Sequence, residues 1–403
     1  SFIRSEILTS SEASTLIGGS GTDLFIIEDT HSIATNGMTF NNITRVVGGD
    51  GNDDVQYDSG SWNVQQENEI NLRGIAFSDI ESVNVNNSEG VTERTLYGSS
   101  TDDAFLLEGE NTVRINGITY YGIGLIDART GGVDSIAGSD TWSILDTGTE
   151  AFDIEIKNVD EVISDEFGQL VGTDVDDIFN LIVSEEGDSA VMINDITFSN
   201  ISLVSGGQGE DLVTTELSQA WYLTDDGSVL GNNINFSEVE RINSSLSKVI
   251  GTLQEDSFEV VDGTRSVIAN GTFFENVDEI DGNTATGFND ELIIVSDDMV
   301  TISNQDGVST LDRPRTLSEK GLIYNNIDIV DVSTSSDVYS AAGFNLLNVS
   351  AKNLTIETEE NVSINNLNVT DDLMLASQGE INFLKDANFT NPKISLSADS
   401  ISF

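Results

Sequence analysis

Asn36-Gly37-Met38-Thr39-Phe40 returns as Asn116-Gly117-Ile118-Thr119-Tyr120, as Asn194-Asp195-Ile196-Thr197-Phe198 and as Asn270-Gly271-Thr272-Phe273-Phe274. An Asn-Gly step ahead of alternating apolar residues is turn-then-strand chemistry. Its return at nearly constant spacing means that one unit is repeated. Other markers keep the same period. The three tryptophans, Trp62, Trp142 and Trp221, fall at almost equal intervals. Gly18, Gly98, Gly172 and Gly251 each open a strand-like run, and each is followed by Asp-x-Phe, at Asp23, Asp103, Asp177 and Asp256. A unit of about 79 residues therefore occurs four times between residues 16 and 332, after a lead-in over 1–15. Each unit has two similar halves marked Ile-x-Phe-x-x-Ile-x-x-Val, as in Ile75, Phe77, Ile80 and Val83. No stretch sustains a 3.6-residue period, so helices are not expected.

Residues 333–403 repeat faster. Asn348, Asn368 and Asn388 are 20 apart, and the pairs Leu354/Ile356, Leu373/Leu375 and Ile394/Leu396 follow them. A 20-residue repeat of short strands is one rung of a parallel β-solenoid, and four such rungs also fit the longer unit. The expected fold is all-β: a right-handed parallel β-helix with about twenty rungs of about 20 residues. Rungs stacked about 4.8 Å apart would make a rod roughly 90–100 Å long. The Asn column reads as a stacked amide ladder. In the fourth unit Val300 takes the tryptophan position and the second-half motif arrives nine residues late (88 − 79). The insertion falls near 308–320, where Arg313, Arg315 and Lys320 cluster around Pro314. It reads either as a module junction or as a protruding loop for partner binding.

Composition narrows the function. The 403 residues hold 16 Lys+Arg against 70 Asp+Glu, a net charge of −54, with one His and no Cys. Nucleic acid and anionic membranes need clustered cations and are not expected partners. Disulfides, Cys-based zinc sites and thiol nucleophiles are excluded. Ser-His-Asp catalysis has only His31 to draw on. No apolar run is long enough to span a bilayer as a helix. The chain opens at Ser1 without a signal-peptide pattern and is read as a piece of something larger. Carboxylates in such excess suit seawater, brine or a calcium-containing exterior.

Three segments fit Gly-Gly-x-Gly-x-Asp-x-apolar: Gly18–Phe25, Gly48–Val55 and Gly206–Val213. Glycines allow a tight turn with inward carbonyls, and the Asp offers a hard oxygen ligand. Calcium at Asp23, Asp53 and Asp211, with Asp50 and Asp54 beside them, is one reading. The other is a corner in which Asp satisfies backbone N–H groups. Asp103, Asp134, Asp177, Asp256 and Asp290 keep only the Asp-x-apolar part. A second acidic column, Glu81, Asp160, Glu240 and Asp328, reads as outward and solvated. Asp pairs such as 53–54 and 176–177 could serve glycoside or metal-assisted polysaccharide cleavage. No basic residue accompanies them at a repeatable spacing, and adjacent residues of a strand face opposite ways. The tryptophans are expected in the core rather than in an exposed sugar-stacking ladder. The Asn-x-Ser/Thr sites at Asn42, Asn200, Asn270 and Asn368 are explained by turn composition.

The Gly-rich turns resemble the calcium-binding nonapeptide of RTX proteins. The faster rungs resemble filamentous-haemagglutinin-like exoproteins of two-partner secretion, and the whole array resembles large biofilm-matrix and surface adhesins of Gram-negative bacteria. The resemblance implies a secreted, cell-surface adhesin or stalk, stiffened by calcium, that binds exopolysaccharide, a neighbouring cell or itself, and is not an enzyme. A surface-layer or sheath protein and a polysaccharide-active β-helix enzyme are the alternatives.

Overall fold

The structure, a computed structural model, describes residues 6–402 except 58–60, 67–68, 86–93, 185–186, 262–264, 284–288, 297–299, 306–307, 313–321, 335–336, 341–343, 386 and 390–392. It is all-β: 65% of the chain is strand, and no helix occurs among the described residues. Arg313, Arg315 and Lys320 lie outside those residues. The added residues of the fourth repeat fall between two antiparallel partners, Val308–Asp312 and Leu322–Asn325. The chain divides into two units, Ser1–Thr173 with Ile182–Ser205, and Asp174–Leu181 with Gly206–Phe403.

In the first unit the strands form two columns. Phe25, Val55, Val83 and Tyr120 are successive parallel partners in one column, and Phe105, Ile136, Val162 and Phe198 continue it. The second column runs through Leu16, Val46 and Phe77, then Trp62, Leu96, Ile126 and Ile156. Apart from Leu16 at its column's start, every one of these inward residues is at most 3% exposed. Their neighbours along each strand face outward, the alternation of a half-buried strand. Residues 6–15, expected only as part of a lead-in, belong to a strand, Glu6–Ile17, that pairs with Met38–Val47.

The second unit repeats the plan. Phe179, Val213, Ile242 and Phe274 stack in one column, and Trp221, Val249 and Ile280 in the other. Beyond residue 330 the parallel partners draw closer in sequence. Val338 pairs Leu354, Leu354 pairs Leu373, and Leu373 pairs Ile394.

Parallel partners about 20 residues apart therefore occur, among the described residues, only in this last part. Before it, a parallel partner comes much later along the chain, as in Val46–Phe77 and Ile126–Ile156. The reason is the three-stranded meanders set into the columns. Trp62–Gln66, Glu69–Leu72 and Ile75–Ser78 form one; Ala104–Gly109, Thr112–Ile115 and Ile118–Tyr121 form another. The middle strand of each runs backwards and consumes residues without advancing the chain to a new turn. The Asn-Gly motif is the second turn of a meander. Asn36/Gly37, Asn116/Gly117, Asn194/Asp195 and Asn270/Gly271 all have positive φ, the backbone of a two-residue hairpin turn.

The Asn348/Asn368/Asn388 ladder is also different from expectation. Asn368 pairs Asn388, but Asn348 pairs Asn366, two residues short of the expected Asn368. Asn366 Nδ2 donates to Asn348 Oδ1 at 3.0 Å.

Candidate functional site

The corner between the two columns holds the chain's most regular polar feature. Three carboxylates gather there in each repeat: Asp23, Asp53 and Glu81; Asp103, Asp134 and Asp160; Asp177, Asp211 and Glu240; Asp256, Asp290 and Asp328. They link one turn to the next. The Asp23 amide donates to Asp53 Oδ1 at 2.7 Å, and the Asp53 amide to Glu81 Oε2 at 2.7 Å. The same two bonds recur at 2.8 Å from Asp103 to Asp134 to Asp160. They recur at 2.8 Å from Asp177 to Asp211 to Glu240. Asp256 donates to Asp290 Oδ1 at 3.0 Å, while the Asp328 amide donates to the Asp290 carbonyl at 3.0 Å. The two acidic columns seen in sequence are thus a single column. Glu81, Asp160 and Glu240 are acceptors for a neighbouring turn rather than freely solvated groups.

Local chemistry sets this geometry. A strand that leaves the ladder to turn a corner leaves amides without carbonyl partners, and a short carboxylate can take them. The first Asp of a triad also caps its own turn. Asp23 Oδ2 accepts from the Gly19 amide at 2.6 Å, and Asp256 Oδ2 from Thr252 at 2.6 Å. Glycine stands at the tightest point. A Cβ on Gly48 would lie 1.9 Å from the Asp79 carbonyl oxygen and 2.6 Å from Asp53 Oδ2. A Cβ on Gly206 would meet the Glu238 carbonyl at 2.0 Å and Asp211 Oδ2 at 2.6 Å.

Burial makes these carboxylates unusual. Asp53 and Asp211 are both 0% exposed, and each has an Oδ2 with no hydrogen-bond partner. Burial, then the charges of Asp177, Glu240 and Asp176, pushes the Asp211 carboxyl up to about 6 against a backbone hydrogen bond that pulls the other way. Asp290 is likewise pushed up to about 6, first by burial and then by Asp256, Asp328 and Glu255. Asp54, on the adjacent outward position, is raised by burial and by Asp53 and Glu81. Asp50 is exposed, and its amide donates to the Gly19 carbonyl at 3.3 Å.

Among the described residues no three His, Asp or Glu side chains converge closely enough to hold a metal ion. Asp53 and Asp211 each keep one buried oxygen without a hydrogen-bond partner, and no cage of acidic or imidazole side chains surrounds either among the described residues. The members of the Asp pairs, which lie just before their strands, take different partners. Asp103 and Asp177 face the corner, whereas Asp102 Oδ1 accepts from the Val133 amide and Asp176 Oδ1 from Glu210, both at 2.9 Å. The sequence sites Asn42, Asn200 and Asn270 sit at positive φ with their side-chain amides donating to Ser10, Ser164 and Asp256.

All three tryptophans are 0% exposed. Trp62 contacts Tyr57 and Tyr120 edge-on with ring centres 6.3 and 6.4 Å apart. An exposed sugar-stacking ladder is ruled out for them.

Interlocking of triads across turns was invisible in sequence, because partners on successive turns are too far apart along the chain to share a local pattern. The spacing of Asp23, Asp53 and Glu81 was the available signal. No family model, curated protein or solved structure matches the chain.

Proposed function

We propose that this chain is a segment of a right-handed parallel β-solenoid that works outside the cell as an adhesive stalk. In this reading it binds exopolysaccharide, a neighbouring cell surface or a second copy of itself, and has no catalytic part. The observation that carries the reading is the recurrence of one buried carboxylate device at the corners of all four repeats. Repeats that contact only their neighbours add stability by stacking, so an array of this kind lengthens without needing a new core. Catalytic carboxylates must be free to meet a substrate, whereas these are committed to backbone amides. A net charge of −54 keeps copies soluble and apart until something bridges them.

In the same reading calcium stiffens the stalk, and Asp53 and Asp211 are the residues that would hold it. Each brings a buried carboxylate oxygen without a partner. A bound divalent cation would supply the positive charge that this crowded corner lacks.

Beads coated with the chain test the adhesive reading. They should clump with one another or with exopolysaccharide, and albumin-coated beads should not. Ordered sheets in the electron microscope without bead clumping would favour the surface-layer alternative. Release of unsaturated sugars from a polysaccharide would favour the enzyme. Thermal unfolding with calcium, with chelator and with magnesium at matched ionic strength tests the cation separately. A ligand held only by the folded state must raise its midpoint, and equal midpoints would remove calcium from the proposal.

A further inference from the structure

Three Asn-Gly steps occur in the chain, at Asn36, Asn116 and Asn270, and each is the two-residue turn of a hairpin. The pairs that close these turns are Thr35–Met38, Ile115–Ile118 and Ala269–Thr272. Their backbones agree closely. The asparagines have φ of 51°, 51° and 49°, and the glycines 76°, 82° and 93°. All three glycines are exposed. A Cβ on Gly37 or Gly271 would meet nothing within 4 Å, so these turn tips stand clear of their surroundings. The third repeat has Asn194-Asp195 at the same place.

The side chains differ where the backbones agree. Asn270 Nδ2 donates to Asp256 Oδ1 at 2.8 Å. Asp256 is itself fixed: its Oδ2 accepts from the Thr252 amide at 2.6 Å, and its own amide donates to Asp290 Oδ1 at 3.0 Å. Asn36 and Asn116 make no side-chain hydrogen bond to any described residue. Of three matching turns, one therefore has its carboxamide tied to the acidic corner and two have it free.

That difference bears on covalent chemistry. An asparagine Cγ can close a five-membered ring with the amide nitrogen of the next residue, and glycine leaves that nitrogen unshielded by a Cβ. We propose that Asn36 and Asn116 are sites of spontaneous deamidation in the folded chain, and that the bond to Asp256 protects Asn270. In the first step the Gly37 nitrogen bonds to Asn36 Cγ and the Cγ–Nδ2 bond breaks. Nδ2 leaves as ammonia, carrying the proton that the Gly37 amide gives up. In the second step water opens the cyclic imide. Breaking its bond between nitrogen and Cγ leaves aspartate; breaking the bond to the main-chain carbonyl carbon leaves isoaspartate. Gly117 and Asn116 react in the same way. At Asn270, Nδ2 must leave the Asp256 carboxylate before Cγ can swing onto the Gly271 nitrogen. At Asn194 the Cβ and charge of Asp195 hinder the attacking nitrogen.

The product matters to the fold. Isoaspartate adds a methylene to the main chain inside a turn whose length sets strand register. Aspartate adds charge to a chain already at −54. Either product loosens a meander, Ser32–Thr35 against Met38–Val47 in the first repeat and Thr112–Ile115 against Ile118–Tyr121 in the second. The inference is independent of the adhesive reading.

The test is incubation of the intact chain in mildly alkaline buffer made with heavy-oxygen water, followed by peptide mapping in a mass spectrometer. A parallel sample is kept unfolded in urea. In the folded chain the Asn36 and Asn116 peptides should take up heavy oxygen, and enzymatic methylation of isoaspartate should mark the same two peptides. Asn270 should convert about tenfold more slowly, the ratio that one hydrogen bond to a charged group sets. In urea all three should convert alike, because each precedes a glycine. Asp256→Ala should bring Asn270 to the rate of Asn36 and leave Asn36 unchanged. The proposal is overturned if Asn36 and Asn116 stay intact in the folded chain while converting in urea, if Asn270 keeps pace with them, or if Asn270 stays slow in a folded Asp256→Ala. Where that variant does not fold, the folded and urea rates of the three parent asparagines decide alone.

Discussion

The backbone amide of Asp23 donates to Oδ1 of Asp53, 30 residues further along the chain, at 2.7 Å. The main chains agree with this link: the Asp54 amide donates to the Asp23 carbonyl at 2.9 Å, and Leu24 is the register partner of Asp54. Parallel ladders supply such bonds along the strands. At the corner the ladder lapses, and a side chain takes over from the backbone. The carboxylate therefore clamps one turn to the next where the sheet alone would leave a gap.

Removing that clamp has a definite consequence. Asp53→Ala leaves the half-buried Asp23 amide without an acceptor, which should cost about 1–3 kcal/mol. Asp53→Asn keeps an oxygen at the same place and should cost less. Denaturant unfolding orders the two variants, and hydrogen exchange at the Asp23 amide should quicken only in Asp53→Ala. Equal losses for both would show that charge, not the acceptor, matters here.

Two glycines separate close approach from open space. Gly48→Ala drives a methyl to 1.9 Å from the Asp79 carbonyl, a backbone atom that cannot swing aside. It should destabilise by several kcal/mol, with the Asp53 corner disrupted. Gly21→Ala meets nothing within 4 Å and lies outside the positive-φ set, so it should stay within about 0.5 kcal/mol of the parent. Thermal midpoints of the pair check the contrast.

Acidification should stabilise the fold. Asp290, 3% exposed, has its carboxyl pushed up to about 6 by burial and by Asp256, Asp328 and Glu255. A folded value above the unfolded one means that the folded state holds the proton more tightly. Its stabilising contribution is full below about pH 4 and is lost as pH rises through about 6. The midpoint should therefore be higher at pH 5 than at pH 7.5. Asp290→Asn, which removes the charge and keeps an oxygen for the Asp256 amide, should raise the pH 7.5 midpoint by the equivalent of about 1–3 kcal/mol and flatten the profile. A midpoint that falls on acidification in the parent, and equally in the variant, would contradict this.

Fluorescence reports the core directly. With Trp62, Trp142 and Trp221 all 0% exposed, emission should be blue-shifted and resist iodide until the chain unfolds. Trp221 sits against Gly231, where a Cβ would fall 2.2 Å from its ring, so Gly231→Ala should force that ring to move. Trp221→Ala should cost about 3–5 kcal/mol, read from denaturant unfolding.

Much of the fold was legible from local signals. Asn36-Gly37 announces its hairpin turn because both residues tolerate positive φ. The alternation at Phe25 and Ile27 announces which side is buried, and both are 4% exposed or less. The meanders were not legible. Their middle strands, such as Glu69–Leu72, alternate like any other, and nothing local says which way a strand runs. The 20-residue step could therefore be extended in error from residues 348–388 to the earlier repeats. The candidate site was half legible. Asp23, Asp53 and Asp211 stand out by their glycines, but Glu81 and Glu240 lack them and looked like surface residues.

Sequence by itself determined the all-strand character, the 79-residue period, the turns and the inward stack, since each follows from spacing, φ tolerance and hydrophobic alternation within a few residues. Tertiary structure alone decided direction, register and partnership: which strands turn back, that Asn348 faces Asn366, that Glu81 serves Asp53, and that Arg129 meets Tyr97. Those depend on contacts between residues tens of positions apart, and such contacts are settled only when hydrogen bonding and packing across neighbouring turns are satisfied together.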